Sequence, residues 1–270
     1  MTEQNKTRPM IDVQAQRLPN GRTIDKVGVS DVAYPIVVMD RKFGHQNTVA
    51  TCRMSVQLPR HFRGTHMSRF LEVLNDVGRS KITPRKICDI LETIKETLDA
   101  ESAFVQLRFP YFIDKAAPKS GVEGLREYLC AFEGNNDVHG NTEFYLEVEV
   151  SVMNLCPCSR ELSIGKSAHN QRSNVKVRIR CTRLIWIEEI VEIVESCASS
   201  PVFTVLKRVD EKAVMDAAHD KPRFVEDIVR EIADRLDQLQ GVDYYRVESV
   251  NYESIHDHNV FACIERDSRE

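Results

Sequence analysis

The sequence predicts an α+β protein built on antiparallel sheets with helices on one face. Stretches in which apolar and polar residues alternate with a period of two recur along the 270 residues, and they mark strands. Helical periodicity comes in pairs of segments rather than after each strand, which argues against a doubly wound parallel sheet. The sequence also contains neither GxGxxG nor GxxxxGK followed by Ser or Thr, so it predicts neither a dinucleotide-binding βαβ unit nor a P-loop.

The first predicted elements are two strands and two helices. Residues 1–25 lack periodicity, so we expect an arm that is partly disordered. Pro59 closes the second strand, and Gly78 is a stop signal after the first helix. Thr83 and the proline that follows it are typical of a helix N-terminus. The predicted order is strand 33–40, strand 47–59, helix 67–78 and helix 83–100.

The later elements follow a similar order. Gly and Asn residues typical of hairpins separate two of the strands. The predicted elements are strands 102–113, 125–135, 142–153 and 173–182, helices 186–200 and 223–239, and two strands within 244–265. Strands, a helix pair and strands thus occur twice, which predicts an approximate duplication of one β-α-α-β unit. We place the first unit at 26–153 and the second, which begins with a polar segment, at 154–270.

The composition excludes several classes of protein. Apolar residues at 42% suffice for a core, and a net charge of −4 argues against a dedicated nucleic-acid binder, which would be basic overall. The N-terminal residues lack the apolar stretch of a signal peptide, and no run of 18 apolar residues could span a membrane. We therefore expect a cytoplasmic protein with reduced thiols and with neither a nucleic-acid nor a membrane partner.

The cysteines fall into two groups. Six lie among apolar residues and are interpreted as small buried hydrophobes, namely Cys52, Cys88, Cys130, Cys181, Cys197 and Cys263. Cys156 and Cys158 lie instead in the polar segment NLCPCSRELSIGKSAHNQRS, which also contains His169. The C-x-C spacing is not that of a zinc knuckle and no second pair completes it, which disfavours a structural zinc. A site with one Cys, one or two His and a carboxylate stays open.

Further polar segments could complete such a site. They are RGTHMSRF (63–70), KRVDEK (207–212) and NYESIHDHNV (251–260). In the last of these, His256 and His258 would share one strand face and Glu253 the other, unless a bend intervenes. Each histidine taken alone fits a surface or structural role equally well. Glu226 lies in the first turn of the last helix, where it either complements the helix dipole or offers a carboxylate to the N–H edge of a purine or pterin.

The segments GTHMSRF, LCPCS, AHNQRS, KRxDEK, FVED and ESIHxH occur in this order between residues 25 and 265. In this combination the chain resembles the GTP cyclohydrolases of type IB, a family of tunnelling-fold enzymes. The resemblance implies that GTP and water are converted to 7,8-dihydroneopterin triphosphate and formate, the first step of tetrahydrofolate biosynthesis. It also implies two tandem tunnelling-fold units and a homotetramer with active sites at subunit interfaces.

The resemblance assigns roles to individual residues. One divalent metal, zinc, manganese or iron, is expected on Cys156, His169, Glu211 and His256. Cys156, His169 and His256 are also expected to act in catalysis. Glu226 is the expected anchor of the guanine ring. Basic residues in or beside the polar segments are candidates for binding the triphosphate, namely Arg69, Lys115, Arg160 and Arg172. Relative to the family, the resemblance implies one extra residue near Gly165 and Lys166.

These residue types suit the implied reaction. Hydration of carbon 8 of guanine needs an activated water, which a divalent metal with an open coordination position supplies. Opening of the imidazole ring needs proton delivery, for which a histidine is suited near neutral pH. Two alternatives stay open: a related tunnelling-fold enzyme that makes a different pterin product, such as a cyclic phosphate, and a non-catalytic module with a structural metal.

Overall fold

The computed structural model describes residues 14, 16, 17, 20–77, 80–164 and 167–269. Strands and helices alternate in groups along this part of the chain. The elements are β1 (Ile24–Val38), β2 (Gln46–Leu58), α1 (Met67–Val77), β3 (Lys81–Ile82), α2 (Pro84–Leu98), β4 (Ala103–Ala116), β5 (Glu123–Asn136), β6 (Thr142–Leu155), α3 (Pro157–Leu162), β7 (Asn170–Cys181), α4 (Ile187–Cys197), β8 (Ser200–Pro201), α5 (Arg208–Asp220), α6 (Val225–Asp237), β9 (Val242–Asn251) and β10 (Val260–Asp267).

All the strands in the described part of the chain belong to one sheet of ten. Its order is β10-β9-β7-β6-β5-β4-β2-β1-β3, and β8 pairs with β6 beside this path. The long strands pair antiparallel, whereas the short β3 runs parallel to β1. The predicted α+β class is therefore confirmed. The predicted sheets prove to be a single continuous one, because β5 and β6 also pair with each other.

One face of this sheet is apolar and covered by helices. Leu107 pairs with Phe132, and Phe132 pairs with Leu146 on the next strand. Directly paired residues point to the same face, so the buried side chains form one apolar layer across the sheet. Four amphipathic helices, α1, α2, α4 and α6, bury residues in the same core, among them Phe70, Ile90, Ile190 and Ile232.

The opposite face of the sheet is polar. Arg108 of β4 reaches Glu149 of β6 at 2.7 Å, and Arg178 of β7 reaches Glu133 of β5 at 2.6 Å. Each ion pair reaches across one intervening strand. Together these pairs form a charged layer on the face opposite the apolar core. Such alternation is typical of an antiparallel sheet with only one face packed on helices.

Helix α2 shows how the local sequence sets the packing. The Thr83 side chain accepts a hydrogen bond from the Lys86 N–H at 3.1 Å, which confirms the predicted N-cap. The helix lies close to β5 at Gly134, where an added Cβ atom would come within 2.4 Å of the Ile87 Cγ2 atom. A glycine is therefore needed for this helix and strand to approach each other.

The structure differs from the predicted elements in several places. Strand β1 begins at Ile24, earlier than predicted, and a bulge interrupts its early part, where Asp31 adopts a φ of 59°. Helix α5 was not predicted, because only Asp210 and Ala218 are buried on it and the sequence shows no apolar stripe. Short elements such as α3 also escaped prediction.

Part of the predicted N-terminal arm contacts the loop after β2. The Arg63 N–H donates to the Gln16 carbonyl at 3.1 Å, and the Gly64 N–H donates to the Gln14 carbonyl at 3.2 Å. Residues 1–13 of the arm lie outside the described part of the chain. Among the described helices, none is long and apolar enough to cross a membrane.

The cysteines are all free thiols, and burial separates them. Cys52, Cys130 and Cys197 are buried as predicted, and burial raises the pKa of Cys52 to about 11. Cys88 and Cys181, which were also predicted to be buried, are half-buried. Cys263 is exposed, so its interpretation as a buried hydrophobe is wrong. The reason is that it lies on the edge strand β10, on the face that no helix covers.

Candidate active site

Cys156 lies where β6 turns into the short helix α3. It is the N-cap of this helix, Pro157 occupies the first helical position, and the Cys156 Sγ atom accepts a hydrogen bond from the Ser159 N–H at 3.5 Å. The thiol is half-buried, whereas Cys158 is exposed on the helix. The two cysteines therefore diverge, because Pro157 starts a helix rather than continuing the strand.

His169 lies directly before β7 and is tied to Cys156. The Cys156 N–H donates to the His169 carbonyl at 3.1 Å, and the His169 N–H donates to the Ser159 hydroxyl at 3.2 Å. These bonds close the loop between β6 and β7, so the thiol and the imidazole come from the two ends of one closed loop. The expected insertion at Gly165 and Lys166 falls in this loop and lies outside the described residues.

The imidazole of His169 is oriented by polar neighbours. Its Nδ1 atom lies 3.0 Å from Gln171 Oε1 and 3.4 Å from the Ser254 hydroxyl. A bond from Nδ1–H to the Gln171 oxygen leaves the lone pair on Nε2, which is the tautomer that a metal requires. Metal-binding histidines usually donate their other ring N–H in this way.

The loop between β9 and β10 brings further polar groups to His169. The Tyr252 N–H donates to the Arg172 carbonyl at 2.9 Å, so the chain bends away from β9 beside the start of β7. As a result, the Glu253 carboxylate lies 4.0 Å from the His169 Nδ1 atom, with only 8% of its side chain exposed. The alternation of side chains along a strand did not place Glu253 beside His169. The bend after β9 ends that alternation and brings the two residues together.

His256 and His258 lie in this same loop rather than on a strand, which corrects the predicted strand face. Their rings nevertheless stack, with centroids 5.2 Å apart and an interplanar angle of 23°. Both side chains are exposed. His256 is thus on the loop that contacts His169, but its ring is turned towards its stacking partner.

Glu226 occupies the first turn of α6, and its neighbour performs the capping. Asp227 accepts a hydrogen bond from the Phe224 N–H at 2.9 Å, while the Glu226 side chain is exposed. The Arg223 N–H donates to the Leu155 carbonyl at 3.0 Å, so this helix begins beside the residue that precedes Cys156. Glu226 is therefore presented near the end of β6 with its carboxylate not required by the helix cap.

Glu211 is exposed in the first turn of α5, and the buried Asp210 fixes this turn. Asp210 accepts hydrogen bonds from the Lys119 and Ser120 N–H groups at 2.9 and 2.8 Å, from the Ser120 hydroxyl at 2.7 Å and from the Lys207 N–H at 2.9 Å. Burial opposes ionisation, but these bonds outweigh it and hold the pKa of Asp210 well below its usual range.

The four basic candidates lie in different places. Arg160 on α3 and Arg172 on β7 belong to the two segments that carry Cys156 and His169. Arg69 on α1 donates to the Thr97 carbonyl at 3.1 Å, at the far end of the sheet. The Lys115 ammonium is paired with Glu195, and burial lowers its pKa.

The donor types suit a transition metal, since a thiolate, an imidazole and carboxylates are ligands that zinc, manganese or iron accept. The described residues contain no group of three or more His, Cys, Asp and Glu side chains placed to hold a metal ion. Cys156 and His169 are thus the pair that the loop closure joins. Because the lone pair on His169 Nε2 is left free, Cys156 and His169 together offer two donors that suit a metal.

Comparisons with known proteins place the chain in a family. The sequence model described as Type I GTP cyclohydrolase folE2 matches residues 10–262. The GTP cyclohydrolase FolE2 of Geotalea uraniireducens is 49% identical, over 97% of this chain and 95% of its own length. The protein of the same name from Pseudothermotoga lettingae is 49% identical, over 97% of this chain and 100% of its own.

Solved structures agree at the level of the fold. A highly active mutant of urate oxidase from Bacillus sp. TB-90 superposes with a TM-score of 0.54 at 9% identity, over 90% of this chain and 100% of that one. At such low identity the likeness concerns the mixed α+β fold with its large sheet. The chain belongs to the type I GTP cyclohydrolase FolE2 family, as the match to the family model and the similarity to near full-length relatives together show.

Proposed function

We propose that this GTP cyclohydrolase converts GTP and water to 7,8-dihydroneopterin triphosphate and formate at a site built around Cys156 and His169. The observation that carries the proposal is the hydrogen bond from the Cys156 N–H to the His169 carbonyl at 3.1 Å. It joins a half-buried thiol and an oriented imidazole in a chain whose family acts on GTP.

We further propose one divalent metal, zinc, manganese or iron, with Cys156, His169, Glu211 and His256 as its ligands. Support comes from the donor types and from the His169 ring, whose Nδ1 contact with Gln171 leaves Nε2 for a ligand. When bound, such a metal supplies Lewis-acid activation of water. His256 is exposed on the loop whose Glu253 and Ser254 contact His169, which supports including it among the ligands.

The substrate would be held at both ends. In the proposal, Glu226 accepts hydrogen bonds from the N–H edge of guanine, a role that the capping by Asp227 leaves open to it. Arg160 and Arg172 bind the triphosphate, because they flank the Cys156 and His169 segments and their guanidinium groups suit phosphate oxygens. Between these contacts, the guanine imidazole ring would face the thiol and the histidines.

The protein groups would then manage protons and orientation. Attack of water on carbon 8 forms a C–O bond, and the imidazole ring opens when a C–N bond breaks and the leaving nitrogen takes a proton. We assign this proton transfer to His169 or His256 at a step in which that ring is not held on the metal, since an imidazole with a free nitrogen exchanges protons near neutral pH. A second water then adds to the resulting formamide carbon, and cleavage of the second C–N bond releases that carbon as formate. The freed amine closes the new ring on the opened and rearranged ribose with loss of one water, so the net reaction consumes one water. Glu253, close to the His169 ring, would keep that ring oriented during these transfers.

We also infer two tandem tunnelling-fold units. The strand order supports this, because β5-β4-β2-β1 and β10-β9-β7-β6 run in the same sense relative to the chain. A division on this basis falls between Asn136 and Thr142, before the boundary at 153 expected from the sequence. The reason is that β6 pairs with β7 as β1 pairs with β2.

A homotetramer with active sites between subunits completes the proposal. Arg69 lies on α1 against β1, which is four strands away from β6 in the sheet. With strands about 4.8 Å apart, that is roughly 19 Å from the Cys156 segment. Arg69 would therefore reach a triphosphate only from a neighbouring subunit. Lys115 lies on β4, two strands from β6, and is already paired with Glu195.

Incubation of the purified protein with GTP and a panel of divalent metals tests the function. We expect a fluorescent dihydropterin product after oxidation, formate in equal amount, and a product mass that retains the triphosphate. A cyclic phosphate product would support the alternative tunnelling-fold enzyme. Chelation is expected to remove activity and keep the secondary structure, whereas unfolding by the chelator would indicate a structural metal instead.

A further inference from the structure

Three polar side chains interrupt the apolar face of the sheet at one end. Asn154 on β6, Ser173 on β7 and Asn251 on β9 are all buried, with no more than 2% of any of them exposed. Ser173 pairs directly with Asn251, and the same face continues inward through the buried Val177. The trio therefore stands where the packing of the sheet against its helices would otherwise call for apolar residues.

The three side chains form one hydrogen-bonded chain. Asn154 Nδ2 donates to Ser173 Oγ at 2.6 Å, and Ser173 Oγ donates to Asn251 Oδ1 at 2.5 Å. The hydroxyl is thus both acceptor and donor, and it links the other two side chains. Asn154 Oδ1 also accepts a hydrogen bond from the Ser199 N–H at 3.3 Å. Asn154 Nδ2 also reaches Asn251 Oδ1 directly, at 3.5 Å, but the Ser173 hydroxyl makes the two shortest links between the three strands.

Each member of the trio is close in the chain to a segment of the proposed site. Only Leu155 separates Asn154 from Cys156, and Ser173 lies near the start of the strand that follows His169. Asn251 is the last residue of β9, directly before the loop that brings Glu253 and His256 to the site. The trio consequently ties together the strand ends from which the catalytic segments emerge.

Two backbone bonds extend this junction to the helices. The Leu155 N–H donates to the Ser199 hydroxyl at 3.1 Å, just beyond α4. The Leu155 carbonyl accepts from the Arg223 N–H at 3.0 Å, at the entrance of the helix that carries Glu226. The residue before Cys156 is therefore held on both of its backbone polar groups.

We propose that Asn154, Ser173 and Asn251 are positioning residues for the GTP cyclohydrolase reaction. They hold the segments of Cys156 and His169 and the loop after β9 in one arrangement, and none of them acts on the substrate itself. The proposal rests on the proposed function, because those segments matter only if they form the catalytic site.

The physical reason lies in the directionality of buried hydrogen bonds. Apolar side chains at these positions would pack the strands together but would tolerate small sliding and rotation of their ends. A satisfied polar network inside the core allows one geometry, since any other leaves a buried donor or acceptor unpaired. Catalysis is sensitive to displacements of about 1 Å in the reacting groups. Strand ends alone do not fix the positions of such groups that closely.

The test compares two serine-to-alanine variants on neighbouring strands of the full-length protein. Ser173→Ala removes the linking hydroxyl. Ser249→Ala is the matched control, because Ser249 is equally buried on β9 but its hydroxyl has no hydrogen-bond partner among the described residues. We expect Ser173→Ala to lower kcat for formate release about 10- to 100-fold with KM for GTP little changed, as for other residues that orient catalytic groups. Ser249→Ala should keep the wild-type kcat.

Circular dichroism and thermal unfolding separate positioning from simple loss of structure. Rates are measured where both variants are fully folded, so a lower fraction of folded protein cannot mimic a lower kcat. Wild-type kcat in a folded Ser173→Ala protein, or equal losses in both variants, would overturn the proposal. A wild-type protein without turnover of GTP would instead overturn the proposed function.

A second variant covers the case in which Ser173→Ala fails to fold. Ser173→Cys keeps a side chain of similar size and replaces the linking hydroxyl with a thiol, which is only a weak donor and acceptor. We expect it to fold and to lower kcat in the same direction, again with KM little changed. A folded Ser173→Cys protein with wild-type kcat would count against the proposal.

Discussion

The Cys156 N–H donates to the His169 carbonyl at 3.1 Å, so the two residues stay adjacent although a whole loop separates them in the chain. The bond extends the pairing of β6 with β7 by one step beyond Leu155 and Asn170. The thiol and the imidazole are therefore carried at the joined ends of two antiparallel strands, a rigid support for groups that have to act together.

Cys156→Ala is expected to abolish formate release from GTP and to leave the fold intact. The thiol accepts one weak hydrogen bond and is only half-buried, so its removal costs little packing. Cys158→Ala is the matched control, because Cys158 lies two residues further along the chain, on α3, and its side chain is exposed. Formate assays and circular dichroism on both variants decide. Full activity in Cys156→Ala would contradict the assignment, and loss in Cys158→Ala alone would transfer it to the other thiol.

Gln171→Leu is expected to weaken divalent metal binding by about 10- to 100-fold, as other losses of a ligand-orienting hydrogen bond do. The substitution removes the oxygen that lies 3.0 Å from His169 Nδ1 and thereby the preference for the tautomer with a free Nε2. Competition with a chelating dye measures the affinity without relying on turnover. Gln171→Glu keeps an oxygen at the position and should retain more of the affinity than Gln171→Leu.

The long, regular elements were predictable from the sequence, because burial on one face of the sheet imposes alternation that can be read in single strands. Helix α5 was not, since it packs through a buried carboxylate, Asp210, rather than through an apolar stripe. In the site, Cys156 and His169 were found by residue type, whereas Glu253 depended on a bend after β9 that leaves no periodic signal. Interactions set by loop geometry are thus the part that the sequence pattern does not encode.

Asp210→Asn is expected to destabilise the protein at neutral pH but much less in acid. The folded state holds the pKa of Asp210 below its usual value, so its ionised form contributes stability above the unfolded pKa, near pH 4. That contribution is lost as the pH falls further towards the folded pKa, because only the unfolded state takes up the proton. Urea unfolding of both proteins from pH 3 to 8 measures the difference, which should be constant above about pH 5. A difference that grows towards acid would contradict this account.

Glu226→Gln and Asp227→Asn are expected to have opposite profiles although the residues are neighbours. Glu226→Gln should raise KM for GTP and leave unfolding unchanged, because the Glu226 side chain is exposed. Asp227→Asn should keep KM and lower stability by about 0.3–1 kcal/mol, because the Asn oxygen still accepts the Phe224 N–H but the negative charge that favours the helix N-terminus is lost. Steady-state kinetics and urea unfolding on both variants provide the check. Equal KM values in the two variants would refute the guanine-anchoring role.

Glu195→Ala is expected to destabilise the protein by about 3–5 kcal/mol, because the change leaves buried cations without their partner. Glu195 binds Lys115, accepts from Arg126 at 2.7 Å and from the Tyr128 hydroxyl at 2.9 Å, and its side chain is only 12% exposed. These contacts fix α4 to β4 and β5.

Glu192→Ala is the matched control on the same helix. Its carboxylate pairs with Arg41, but 60% of the side chain is exposed, so solvent screens the pair and the loss should stay within about 1 kcal/mol. Urea unfolding of the two variants measures both effects. Because α4 leads into the Ser199 junction beneath Cys156, Glu195→Ala should also lower kcat, whereas Glu192→Ala should not. Similar stability losses in the two variants would show that the buried charge cluster does not anchor the helix.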